Sequence, residues 1–462
     1  MIKLRIKVQA LIDYFHKHRF ECYVVGGFVR DQLLKKPITT GVDFTTNATP
    51  KQMLTILSEG KYENRFGTVI FQLENIAQKL KIKQDDYLEK DFFEITTFRT
   101  EQGYSDKRHP DKINWGKSLI EDLQRRDFTV NALAFDGTKL FDQFNGQKDL
   151  KAKIIRTVGQ PQQRFSEDAL RLMRAIRFAS QLGFQIEPNT LMAIQANAKL
   201  LKQISIERVR DEFLKILASD NATNGIALLR NTDLTTVFIP ELNEAFGVGQ
   251  VSPKRHHIDD VGTHLLKTLN ACTNPDPIVR LACLLHDIGK PKTREIQSEG
   301  IITFYNHEIV GTEMAYKIGQ RLKLSKKDLH RLTKLVRYHQ FSVNENQTDR
   351  ALRRFIRNVG KNNLQNIIDL RIADRIGSGA KPSSWRTELF LKRLEEVQKK
   401  PFTVHDLKIN GQDVMKICQL KPGPKVGEKL NQVFKKIEIN ELPNERKALL
   451  TYLKKLNDTF KS

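Results

Sequence analysis

The sequence predicts an α+β chain in which a small mixed sheet with helices fills the first third and the remainder is all α. Two observations carry this. Residues 22–25 and the residues around Glu94 form short apolar or alternating runs bounded by Gly and Asp, as strands do. From residue 187 to 245, apolar residues instead recur at three and four, with Pro or Gly at the breaks, as in helices. A length of 462 residues with 39% hydrophobic content supports several real cores.

The N-terminal MIKLRIKVQALIDYFHKHRF has the spacing of an amphipathic helix rather than the form of a signal peptide. CYVVGGFVRD, residues 22–31, reads as a buried strand, a Gly26-Gly27 turn and a helix. Paired glycines between strand and helix let backbone amides approach a phosphate, and Arg30 adds positive charge beside them. Next come Gly41-Val42-Asp43-Phe44, TTNATP, the half-buried strand carrying Glu94, and Arg125-Arg126-Asp127-Phe128-Thr129-Val130-Asn131-Ala132.

RFSEDALRLMRAIRFASQLGF, residues 164–184, reads as one helix. Glu167, Asp168, Arg171 and Arg174 then share one surface, with Leu170, Met173, Ile176 and Phe178 toward a core. Asp168 can accept from an exocyclic amine and Arg171 can donate to a ring nitrogen or carbonyl, which together would read the edge of a nucleobase. Arg174 is placed for a phosphate. An ordinary ion-paired helix has the same spacing, so the upstream segments decide between the two.

The order of these segments resembles the head of class II tRNA nucleotidyltransferases and bacterial poly(A) polymerases, a branch of the polymerase-beta-like nucleotidyltransferases. The resemblance implies that Gly26, Gly27 and Arg30 hold a triphosphate, that Asp43 binds Mg²⁺, and that Arg125, Arg126, Asp127 and Asn131 contact ribose and triphosphate. It also implies that Glu167, Asp168 and Arg171 select C or A as a protein template. Where the family has the first aspartate of its metal pair, this chain has Gly41, after a loop that reads as one residue longer. Three readings stay open: Glu94 or water shares the metal load with Asp43, the head is degenerate, or the glycine is a substitution in this copy.

Beyond residue 205 the helical pattern SIERVRDE is similar to the family's neck. The order His257, His264, His286-Asp287, His307, His339, Asp374 is too dense in imidazole and carboxylate for chance in a chain with 11 histidines. It resembles an HD phosphohydrolase domain. The resemblance implies one metal on His264, His286, Asp287 and Asp374, with His307 and His339 serving a second metal or a phosphate, and Lys290, in a closing loop, neutralising substrate. The ion would be Ni, Mn or Co. The last segment is similar to the helical tail of bacterial CCA-adding enzymes, with Gly411 and residues 421–427 in loops between helices.

The implied division is a head at 1–155, a neck at 156–248, an HD domain at 249–385 and a tail at 386–462. A net charge of +23 and a pI near 9.7 point to a polyanionic partner. Four cysteines without CxxC spacing read as buried thiols in a reducing cytoplasm. No apolar run reaches the roughly 18 residues of a membrane span. The expected function is Mg²⁺-dependent addition of C and A to the 3′ acceptor end of tRNA from CTP and ATP. The alternatives are a poly(A) polymerase or A-adding enzyme, or a metal-dependent phosphohydrolase whose head is degenerate.

Overall fold

The computed structural model describes residues 4–37, 41–62, 67–83, 91–102, 112–116, 118–250, 259–297, 300–341, 344, 346–398, 404–439 and 441–458. His257 and residues 38–40 of the loop before Gly41 lie outside them. The chain forms two compact units. The first comprises Met1–Val248, Pro275–Leu281 and Lys317–Ser325; the second comprises Gly249–Asn274, Ala282–Tyr316 and Lys326–Ser462.

The first unit opens with α1 (Ile6–Lys17), whose Val8, Leu11, Ile12 and Phe15 are buried on one stripe, as the spacing requires. A seven-stranded mixed sheet follows, built from β1 (Cys22–Val25), β2 (Asp43–Thr46), β3 (Lys61–Tyr62), β4 (Thr68–Gln72), β5 (Phe92–Thr97), then, past a separate hairpin of β6 (Arg99–Gln102) and β7 (Lys112–Trp115), β8 (Ala134–Phe135) and β9 (Leu140–Phe141). Its order is β3-β4-β5-β2-β1-β8-β9. The pairing of β2 with β5 is parallel and puts Asp43 opposite Glu94. Side chains alternate faces along a strand, so register partners project on the same side of the sheet. β5 alternates as expected, with Phe93, Ile95 and Thr97 buried.

Helix α2 (Gly27–Leu33) follows β1 after the single residue Gly26. Gly26 makes the corner at φ +71°, ψ −133°, a conformation that costs a side-chain-bearing residue on the order of 1–3 kcal/mol. TTNATP becomes the start of α3 (Pro50–Leu57): Thr49 and Gln52 form a reciprocal capping box and Pro50 fills the first turn. α4 (Leu73–Leu80), α5 (Leu119–Gln124) and α6 (Gly146–Ala152) complete the sheet's surroundings. α7 (Pro161–Glu167) and α8 (Leu170–Leu182) lead into helices at Pro188–Asn197, Ile206–Leu217 and Ala222–Asn231.

Among its described residues, the second unit's regular structure is helical apart from the small pair Glu295–Ile296 with Ile302–Thr303. Its helices Val261–Ala271 and Leu364–Gly377 lie in close contact. A Cβ added to Gly377 would sit 2.6 Å from Thr268 Oγ1 and 2.8 Å from its backbone nitrogen, so only glycine permits the approach. One turn away on each helix are His264 and Asp374. Near the C-terminus, Val414, Val433, Leu449 and Leu453 are fully buried in a core of their own. Gly411 begins the helix Gly411–Cys418 and Pro424 to Gly427 form the first turn of Pro424–Glu438, so only residues 419–423 of that region form the expected loop. Asn410 caps the earlier helix through its side chain, which releases Gly411 from the loop.

Candidate active site and candidate metal centre

A cleft of about 1100 Å³ in the first unit gathers Gly26, Gly27, Arg30, Gly41, Asp43, Arg125, Arg126, Asp127, Asn131, Asp168, Arg171 and Arg174. Glu94 lines an adjoining recess with Asp43, Arg99, Arg125 and Arg126. Asp43 reaches solvent at the start of β2, yet the surrounding protein raises its carboxyl above the ordinary range, with Arg126 pulling it down. Gly41 has nothing within 4 Å of the place where a Cβ would stand.

The cleft wall is a network of buried ions. Arg30 donates to Asn131 Oδ1 at 2.8 Å and to Asp31 Oδ1 at 2.8 Å. Asn131 Nδ2 donates to Asp127 Oδ1 at 3.2 Å, and Arg174 donates to Asp127 Oδ2 through Nε at 2.8 Å and a terminal nitrogen at 2.5 Å. Burial pushes the Asp127 carboxyl up, but Arg174 and the hydrogen bonds from Arg174 and Asn131 outweigh it and hold it at about 2. Arg174 is therefore committed to Asp127. Arg125 and Arg126 lean on the fully buried Asp122, at 2.6 and 3.5 Å. The Nε of Arg126 is buried without a hydrogen-bond partner among the described residues, and its guanidinium lies 3.1 Å from the Cβ position of Gly26. A side chain at residue 26 would crowd the donor nearest the glycine turn.

The stretch from 164 is not one helix. α7 ends at Glu167, Asp168 is extended at φ −136°, ψ 104°, and α8 starts at Leu170. The physical reason is a local competition: Asp168 Oδ1 accepts from the Leu170 backbone N–H at 3.0 Å, capping the new helix instead of continuing the old one. The consequence is that Asp168 leaves the helical surface shared by Arg171 and Arg174, yet still lines the same cleft. Leu170, Met173, Ile176 and Phe178 are buried as expected. Arg171 is itself buried and held by three acceptors: Glu167 Oε2 at 2.8 Å, the Arg164 carbonyl at 3.1 Å and the Arg125 carbonyl at 3.0 Å. Glu167 is absent from the cleft lining and acts from behind.

Sequence reasoning missed Asp31 and Asp122 as supports of the wall. Glu212 (2.6 Å from Arg177) and Arg208 (3.6 Å from Asp168) lie in the SIERVRDE segment, whose likeness to the family's neck implies that it buttresses the template helix. Asp31 directly follows Arg30, the one signal for it; Asp122 depends on tertiary contact alone.

In the second unit all six expected side chains converge. His264, His286 and Asp374 form one group of potential ligand atoms and Asp287, His307 and His339 another, the atoms of each group lying within 4.8 Å of one another. The expected set of His264, His286, Asp287 and Asp374 is also brought together, since Asp287 Oδ2 lies 3.5 Å from His264 Nε2. Asp287 lies between the groups, with Oδ2 3.3 Å from His286 Nε2 and Oδ1 3.2 Å from His307 Nε2 and 3.5 Å from His339 Nε2. His264 Nε2 faces His286 Nε2 at 3.1 Å and Asp374 Oδ1 at 3.2 Å.

The rings are aimed by their far nitrogens. Nδ1 of His286, His307 and His339 each lies 2.7 to 2.9 Å from the carbonyl three residues earlier, at Cys283, Phe304 and Val336. A carbonyl only accepts, so Nδ1 carries the proton in each ring. That leaves the Nε2 lone pairs turned into the cluster, the arrangement a metal requires. His307 Nε2 is buried and, apart from its approach to Asp287 Oδ1, has no hydrogen-bond partner among the described residues. Burial lowers the His286 pKa, but Asp287 and Asp374 together raise it; burial lowers that of His339. Lys290 does not sit in a loop free for substrate. It opens the short helix Lys290–Thr293, buried, with Nζ 2.6 Å from Asp287 Oδ2 and 2.8 Å from Gln250 Oε1.

The family model of the poly A polymerase head domain matches residues 22–156, that described as a probable RNA and SrmB-binding site of polymerase A residues 183–246, and that of tRNA nucleotidyltransferase domain 2 residues 299–453. The chain is 31% identical to the CCA-adding enzyme of Pediococcus pentosaceus, over 97% of each chain. It is 33% identical to that of Ligilactobacillus salivarius, over 97% of this chain and 96% of the other. The solved Bacillus stearothermophilus CCA-adding enzyme in complex with CTP superposes with a TM-score of 0.69 at 27% identity, over 99% of both chains.

Proposed function

The chain belongs to the CCA-adding enzymes, and from that premise we propose how its own residues add C and A nucleotides to the 3′ end of tRNA without a nucleic-acid template. The observation that carries the reading is the register pairing of Asp43 with Glu94, Asp43 lining both the cleft that holds Arg30, Arg126, Asp168 and Arg171 and the adjoining recess that holds Glu94. CTP or ATP would lie with its triphosphate at the Gly26-Gly27 corner, where the unpartnered Nε of Arg126 supplies a donor. Asn131, fixed by Arg30 and Asp127, would take the ribose. Asp168 and Arg171 would meet the base edge, with Glu167 fixing the guanidinium plane. The tRNA 3′-oxygen bonds to the α-phosphorus as the bond to the β-phosphate oxygen breaks and pyrophosphate leaves.

The family depends on a divalent metal. Two carboxylates on adjacent strands, projecting on one side, fit a hard cation, which we take to be Mg²⁺ held by Asp43 and Glu94. When bound it would offset triphosphate charge and acidify the attacking hydroxyl. Incorporation of labelled CTP and ATP into tRNA lacking its terminal nucleotides tests the assignment. The native chain should be active, Asp43→Ala should lose activity by orders of magnitude, and Gly41→Asp should change the rate only severalfold. An inactive native chain rescued by Gly41→Asp would overturn it.

We further propose an HD-type metal centre in the second unit, because six ligand atoms converge with three imidazoles pre-aimed by carbonyls. Ni²⁺, Mn²⁺ or Co²⁺ suits the mixed imidazole and carboxylate set. Elemental analysis after reconstitution should find metal in the native protein and none in His286→Ala/Asp287→Ala. A native chain that retains no metal would refute it. We divide the chain functionally into head 1–155, neck 156–248, HD domain 249–385 and tail 386–462. No described helix is long and apolar enough to cross a membrane. We place the protein in the cytoplasm, with its tRNA and nucleotide substrates, where the four buried free thiols also fit.

A further inference from the structure

Beside the histidine cluster, the second unit contains a recess of about 520 Å³ whose charged lining is Arg371, Arg375 and Arg386. No acidic side chain is among its described lining residues, which otherwise include Gln340, Phe341 and Ser384. Arg371 is already paired with Asp374, and the planar fork donors gathered around the cavity match the oxygens of a phosphate. The apolar side of the recess is backed by an aromatic cluster, the Phe341 ring centroid lying 4.8 Å from that of Phe355 and 5.2 Å from that of Phe390.

Its position gives it a role. Arg371 donates to Asp374 Oδ2 at 3.0 Å, while the other oxygen of the same carboxylate faces His264 Nε2 at 3.2 Å. One carboxylate thus links Arg371 to the cluster. Gln340 directly follows His339. Trp385, 61% exposed, lies in sequence between the lining residues Ser384 and Arg386, and the Arg386 guanidinium lies 5.1 Å from its ring centroid. An exposed indole next to a cationic recess is a platform for a nucleobase.

We propose that this recess is the subsite for a second, non-reacting phosphate, so that the cluster acts on a nucleotide carrying phosphate at two positions with its base against Trp385. The inference rests on the reading of the cluster as a metal centre. In the reaction, a water oxygen bonds to the phosphorus at the cluster, the ester P–O bond breaks, and the leaving oxygen takes a proton from that water. The second phosphate stays bound to the arginines and is unchanged.

The chain has two tryptophans, so Trp115→Phe leaves Trp385 as a local fluorophore, remote in sequence from the nucleotide cleft of the first unit. Adenosine 3′,5′-bisphosphate added to this full-length, metal-free variant should quench Trp385 saturably, and AMP should bind at least about tenfold more weakly. Adding Arg375→Ala, which removes a guanidinium that donates to the Lys381 carbonyl, should weaken the bisphosphate about tenfold. Arg375→Lys, which keeps the charge and guards against a folding defect, should fall between. A 3′-phosphorylated oligoribonucleotide that binds more tightly than the bisphosphate would identify an RNA end as the source; the reverse would identify a free nucleotide. Absence of quenching, or equal affinity with and without Arg375, overturns the proposal. Arginine-dependent quenching in a chain that retains no metal after reconstitution would instead leave the phosphate site standing and refute the metal centre.

Discussion

Asp127 shows at the scale of one residue how the cleft is kept charged. Buried and sandwiched between Arg174 and Asn131, its carboxyl stays ionised to about pH 2. Because the folded pKa lies below the ordinary value near 3.8, the stabilisation is complete above about pH 4 and disappears as pH falls through 2. The displacement corresponds to about 2 kcal/mol. Asp127→Asn should therefore lower unfolding free energy by that order at pH 7, and the gap between variant and native protein should narrow between pH 4 and pH 2. Urea titrations at stepped pH measure it, and a gap that does not depend on pH would show that Asp127 acts through shape rather than charge. The same residue fixes Asn131, so the variant should also bind CTP more weakly.

Among the elements, the break between α7 and α8 places Asp168 and Arg171 differently. Asp168 hangs from an extended residue, whereas Arg171 is clamped by Glu167 and two carbonyls. Glu167→Ala should leave Asp168 in place yet free the guanidinium, lowering kcat/KM for CTP and ATP by roughly tenfold to a hundredfold and narrowing discrimination against UTP and GTP. Unchanged nucleotide preference in single-turnover assays would remove Glu167 from the template. The sequence made some of these elements easy to read. The corner at Gly26 was legible because strand period, glycine pair and helix period meet within ten residues. The pairing of Asp43 with Glu94 was legible only as two half-exposed strand positions, since register is a tertiary property. The break at Asp168 was not legible: Ala169 is a strong helix former and no Gly or Pro marks the boundary, so a side-chain cap decided it. The histidines could be picked out by type and order, but the division of labour around Asp287 depends on which carboxylate oxygen faces which ring.

For the molecule as a whole, the chain leaves the first unit after Val248 and returns to it twice. Ile278, Val279 and Leu281 are buried in the first return, Ile318 and Leu322 in the second. Arg280 donates to the carbonyls of Leu217 and Ser219 at 2.8 and 2.5 Å, and Arg321 forks onto Glu241 at 2.9 and 2.6 Å. A fragment ending at residue 248 should therefore exchange amide hydrogens in the helix Ile206–Leu217 at least about tenfold faster than the full chain. Equal protection in the two would show the returns to be dispensable. The same route through space sets an order in time. A ribosome extends a chain by roughly 5–20 residues per second, so Met1–Val248 waits several seconds after it is made before Lys317–Ser325 exists to close it. During synthesis the carbonyls of Leu217 and Ser219 and the carboxylate of Glu241 have no arginine to meet. The nascent first unit is thus held short of completion until the second unit's segments Gly249–Asn274 and Ala282–Tyr316 have been made, and a stalled or truncated product would carry its open face to the quality-control machinery.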